Sequence, residues 1–274
     1  GGASTGALAR DTVFAAVMLI LNGIVGLCLL VGGSRHREQS FGQHGVSASL
    51  ATLAAIAVLT LVLPNFTTSL PGPVYNPSQL AFIAVISLVL YGTFALVQTV
   101  RHRDYFLPAE AAIDATAHAE RPGPGAAALA GGLLLACLAA VVLLGKALSP
   151  SIEAAVAAAG APKALVGIII AAVVLLPEAL AALRAAQASR LQTSLNLAIG
   201  SAIASIGLTI PIVAAVTLAM DWPLHLGIDN KSTLLLLLTL FVAALSLRTG
   251  RTTVLHGLVH LVLFAAYVFL SFVP

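Results

Sequence analysis

Apolar positions run along this chain in eight long blocks, at about 12–32, 46–63, 79–100, 126–148, 163–183, 191–220, 232–247 and 253–272. Each is long enough to cross about 30 Å of hydrocarbon as a helix. The polar breaks between them carry turn and stop residues: Gly32-Gly33, Pro64, and the proline-rich stretch 71–77. Pro177 interrupts the fifth block and Pro211 lies inside the sixth, where it reads as a kink. The pattern predicts an all-α polytopic transmembrane bundle. The opening Gly1-Gly2-Ala3-Ser4 reads as loop interior, with no basic region before an apolar core as a signal peptide would have.

Composition sharpens this into a membrane assignment. Of 274 residues, 59% are hydrophobic and 8% charged, with mean hydropathy +1.05. A soluble domain carries about 25% charged residues, so this chain cannot cover a water-facing surface of its size. No loop is long enough for a folded soluble domain, which argues against an enzyme working outside the membrane. The net charge of +3 is small and sits between apolar blocks, so it speaks of orientation and not of nucleic acid. Cys28 and Cys137 lie inside apolar blocks and read as packing residues, without disulfide or metal.

Eight crossings assign each basic residue to a side. One side receives nine: Arg35, Arg37, Arg101, Arg103, Arg121, Arg184, Arg190, Arg248 and Arg251. The other receives Arg10, Lys146, Lys163 and Lys231. The positive-inside rule puts the arginine-rich side in the cytoplasm. Loop 101–125, with Asp104, Glu110, Asp114, His118 and Glu120, reads as a solvated linker between two halves, 1–100 and 126–274.

The chemistry concentrates between 165 and 211. Glu178 follows Pro177 inside a run rich in Ala, Val, Leu and Ile. An acid at a bilayer centre costs from about 2.5 kcal/mol upward, so it is a functional residue by default. Pro177 is expected to break the helical ladder and free carbonyls beside it. Asn196 would add an amide oxygen and Ser201 a hydroxyl, while Gly200 would let a neighbouring helix come close. Hard cations take oxygen ligands of these kinds. A buried carboxylate can also hold a proton, so one site can take a cation or a proton in turn.

A weak internal repeat points the same way. Asn22-Gly23-Ile24-Val25-Gly26 and Asn196-Leu197-Ala198-Ile199-Gly200 share Asn-x-x-x-Gly, on blocks that cross in opposite directions. Inverted repeats of this kind put ion sites near the midplane of transporters, which makes Asn22 a further candidate. Blander readings stand beside these. Glu178 could pair with Arg184 or Arg190 in a non-transporting membrane subunit or anchor. The two asparagines could be interhelical hydrogen-bond glue, and Ser201 could bond back to its own helix. His256 and His260, one turn apart, read as packing or interfacial residues sooner than a proton relay, and Trp222 and Tyr267 as interface anchors.

The run Leu176-Pro177-Glu178-Ala179-Leu180, with Asn196 to Ser201 and Leu208-Thr209-Ile210-Pro211, resembles the second α-repeat of the cation/calcium exchanger superfamily. Arg10-Asp11-Thr12-Val13, Gly26 to Gly33, Thr249 to Gly257 and His260 to Tyr267 resemble the bacterial ChaA-type calcium/proton antiporters within it. The resemblance implies an inner-membrane antiporter that exchanges Ca²⁺, or Na⁺ or K⁺, for H⁺ without a cofactor. It implies two α-repeats that each give one acid to a central site. Glu178 would be the second-repeat acid, with Asn196 and Ser201 on its partner helix. The first-repeat acid would belong to a helix upstream of this sequence, one of about three in an eleven-helix protein.

Overall fold

The computed structural model describes residues 2–107, 123–160, 162, 164–220 and 224–273. They form eight apolar helical segments. The first comprises α1 (Gly2–Met18), a π-helical turn (Leu19–Ile24) and α2 (Val25–His36) in one unbroken run. Then come α3 (Gln43–Ala57), α4 (Pro77–Leu96), α5 (Pro124–Ala158), α6 (Ala164–Gln187), α7 (Leu191–Met220), α8 (Asn230–Ser246) and α9 (Val254–Phe272). Six of these segments are long and apolar enough to cross a membrane by length and composition.

Two sequence expectations change. The chain opens in helix from Gly2 and not in a loop; alanines at 3, 7 and 9 favour helix strongly enough to offset the glycines. Helix α6 runs through Pro177 without the expected break; α7 also continues through Pro211, as the expected kink would allow. A proline removes one N–H from the ladder, and in a long apolar helix the remaining bonds hold the course. Irregular backbone occurs instead in π-helical turns at residues 19–24, 58–62 and 97–101, of which the first lies mid-segment at the Asn-Gly pair.

The loops collect at two ends. At one end strands β1 (Glu38–Ser40) and β2 (Arg251–Thr253) pair antiparallel, Gln39 opposite Thr252. Gln39 Nε2 donates to the Ala186 carbonyl (3.1 Å), and His36 Nε2 lies 3.3 Å from the Gln187 carbonyl. Arg35, Arg37, Arg184, Arg190, Arg248 and Arg251 therefore share this end. At the other end Ile228 N–H donates to the Leu61 carbonyl, and Val74 bridges His225. Arg10 pairs with Asp11 (2.8 Å) and donates to the Gly227 carbonyl (3.1 Å). Helix α2 ends where α7 begins, so the two Asn-x-x-x-Gly helices run antiparallel. Arg121, most of loop 101–125 and Trp222 lie outside the described residues.

The core sits between α1–α2, α6 and α7. Met18, Ile20, Leu21 and Leu29 from the first run are fully buried, as are Leu195, Ile199, Ile203 and Ile206 of α7. Large apolar residues such as Phe82, Val262 and Phe269 face outward, as expected where the surroundings are lipid. Tyr267 is not an interface anchor: it is buried, with Phe14 edge-on at 5.5 Å.

Candidate functional site

Helix α6 buries Ala171, Leu175, Ala182 and Ala186, at intervals of one or two helical turns along one face. Glu178 falls on that face. Five buried side-chain polar atoms lack a hydrogen-bond partner among the described residues, and Glu178 Oε2 is the one carboxylate oxygen in the set. Glu178 forms no ion pair with Arg184 or Arg190; the described ion pairs are Arg10–Asp11 and the exposed Arg251–Glu38. An unpartnered oxygen of this kind costs free energy unless something else fills it.

The α6–α7 hairpin sets what lies beside it. Glu178 and Gly200 are equally far in sequence from Ser189 at the turn, roughly 16 Å along each helix, so Gly200 and Ser201 stand level with the acid. Gly200 is not a close-approach residue: a Cβ there would meet nothing nearer than Gln98 Nε2 at 4.0 Å.

Asn196 lies one turn nearer the arginine-rich end and is engaged elsewhere. Its Nδ2 donates to the Phe106 carbonyl, and its Oδ1 accepts from Gln192 Nε2 at 3.0 Å. Gln192 also accepts from Gly42 N–H. Together they pin the turn Arg103–Phe106 and the start of α3 over the end of α7. Gln192 escaped notice in the sequence, although it precedes Asn196 by one helical turn on the same face.

Asn22 sits in the π-helical turn and is fully buried. Its Nδ2 donates to Thr239 Oγ1 (2.8 Å), and its Oδ1 lies 3.3 Å from His260 Nδ1. His260 Nε2 is 2.8 Å from Ser246 Oγ. Thr239, Ser246 and His260 are likewise buried. Helix α9 comes this close because Gly26 faces His260 Cβ, where a Cβ would stand at 3.0 Å, and Gly257 lies against the backbone of Leu30. The two histidines thus part company. His260 belongs to a buried network, whereas Nδ1 of His256 accepts from Thr253 N–H (3.2 Å) and caps α9.

By residue count along the hairpin Ser201 lies level with Glu178; the Asn22 turn packs against α6, and among the described residues no hydrogen bond links either asparagine to the acid. No cluster of three or more His, Cys, Asp or Glu occurs among the described residues. Cys28 is buried and Cys137 exposed, both as free thiols. A cavity of about 1140 Å³ opens at the end opposite the arginines, lined among others by Arg10, Asp11, Asn65, Asp229 and Lys231.

Comparison with known proteins agrees with this architecture. The profile described as "Sodium/calcium exchanger protein" matches residues 2–100 and 129–273. The y4hA protein of Sinorhizobium fredii is 52% identical over 267 residues, which cover 97% of this chain and 72% of that protein. The sodium-potassium/proton antiporter ChaA of Escherichia coli is 32% identical over the same shares. Among solved structures, native YfkE superposes with TM-score 0.74 at 16% identity, covering 98% of this chain and 76% of that one. The H⁺/Ca²⁺ exchanger CAX gives 0.64 at 16%, covering 96% and 65%.

Proposed function

The chain belongs to the sodium/calcium exchanger protein family of membrane cation transporters, and from that premise we propose that it trades a metal cation for a proton at Glu178. The observation that carries this reading is Glu178 Oε2, the buried oxygen of a half-buried side chain on the packed face of α6, with no partner among the described residues. A carboxylate oxygen shut away in an apolar helix favours a neutralising partner. A proton does this, and so does a cation drawing further oxygens from Ser201, Asn196 and Asn22. The empty anion is the costly state, so the site crosses between its two faces loaded with one or the other. That asymmetry makes an exchanger in place of a leak.

The donors on offer are oxygens, which suit hard cations. Ca²⁺ is the cation we assign, with Na⁺ or K⁺ taken at the same carboxylate. Asn196 would join by turning a carbonyl oxygen that now serves Gln192, and Asn22 through the carbonyl oxygen that His260 faces. The membrane is the bacterial inner membrane, with the arginine-rich end cytoplasmic.

Glu178→Gln in the full-length protein, reconstituted in vesicles, should abolish cation-driven proton release while the purified protein keeps its elution profile and thermal midpoint. Exchange at the parental rate would refute the assignment, as would a cation current uncoupled from protons. Because proton and cation compete for one carboxylate, apparent cation affinity should rise with pH. Equal half-saturating Ca²⁺ concentrations in acid and alkaline buffer would take Glu178 out of the proton path.

A further inference from the structure

The buried polar cluster around Asn22 also holds Thr239, Ser246 and His260, none of which the exchange scheme above uses. Its hydrogens can be placed in a one-way order. Thr239 lies 3.7 Å from Met18 Sδ, which can accept but cannot donate. With Thr239 giving its hydrogen to that sulfur, Thr239 Oγ1 takes one from Asn22 Nδ2. Asn22 Oδ1 then takes one from His260 Nδ1–H, and His260 Nε2 takes one from Ser246 O–H. In this order the imidazole carries one hydrogen, on Nδ1; the second Asn22 N–H faces Met18 Sδ at 4.0 Å, and the Ala243 carbonyl, 3.3 Å from Ser246 Oγ, is the competing acceptor for that hydroxyl.

One capacity is left over. An amide oxygen has two lone pairs, and His260 occupies one of those on Asn22 Oδ1. The remaining lone pair is an acceptor, which is what a cation requires and an N–H cannot supply. The amide would be free to turn and offer its NH₂ if nothing held it; Thr239 holds its nitrogen end and the donor on His260 holds its oxygen end. The turn that carries Asn22 packs against α6, the helix of Glu178.

We propose that His260 is a positioning residue for cation exchange: its Nδ1–H fixes the side-chain amide of Asn22 with the oxygen available to the transported ion. This rests on the exchange reading of Glu178. His260 touches no ion itself and acts through Asn22.

The test uses full-length protein in vesicles, with Ca²⁺ and Na⁺ each as probe, and three substitutions. His260→Asn keeps a donor near the Nδ1 position and should stay close to the parent. His260→Gln reaches toward Ser246 but drops the donor to Asn22. It should raise the half-saturating cation concentration by about threefold to tenfold, the worth of one neutral hydrogen bond, with maximal rate nearly unchanged. His260→Leu should do the same or more in whatever fraction folds, measured after normalising to monodisperse protein. Equal affinity in all three variants, or a loss confined to maximal rate and thermal midpoint, would overturn the proposal and leave His260 as packing. Glu178→Gln, run alongside, separates the two claims. If it exchanges normally, the site reading fails. If it is inactive while the His260 variants keep parental affinity, only this inference fails.

Discussion

The two Asn-x-x-x-Gly stretches look alike in sequence and differ in what surrounds them. Asn22 is sealed, with both ends of its amide satisfied by α8 and α9 and its glycine pressed against His260. Asn196 is only partly buried, ties down a loop carbonyl, and has a glycine facing open space. One motif has become a joint between three helices. The other stands beside an acid with an unfilled oxygen. A repeat conserves the fold of its helix pair and leaves each copy free to take a separate duty.

Substituting both copies alike is the sharpest way to break that contrast. Asn22→Leu strands a buried histidine N–H and a threonine hydroxyl, at about 1–3 kcal/mol each, and should lower stability by about 3 kcal/mol in all. Asn196→Leu should cost about 1 kcal/mol. Thermal unfolding of the two purified variants reads the difference, and equal midpoints would erase it. The glycines give a smaller version. Gly26→Ala forces His260 and Leu261 aside and should cost about 1–2 kcal/mol. Gly200→Ala meets no obstacle and should be neutral or slightly stabilising. A destabilised Gly200→Ala variant would mean that α7 has a neighbour there in the working protein.

Much of the fold was legible because hydrocarbon imposes a simple rule on composition: eight apolar blocks, and basic residues sorted to the ends, follow from transfer cost alone. The position of Glu178 was legible for the same reason, since an acid in such a block is conspicuous. Its surroundings were not. Gln192, Thr239 and Ser246 are common residues in helices; the crossing of α8 and α9 over the first run makes partners of Thr239 and Ser246, and the fold of residues 42 and 105 onto α7 does so for Gln192. Pro177 misled because a helix lacking one N–H can still continue. The π-helical turn that holds Asn22, at residues 19–24, lies in an apolar run with no proline to mark it.

The short ribbon of β1 and β2, together with Gly257 seated on Leu30, fastens the last helix to the first. Any displacement of α9 must therefore carry α2 with it, so one of the tightest seams in the molecule joins two segments that lie far apart along the chain.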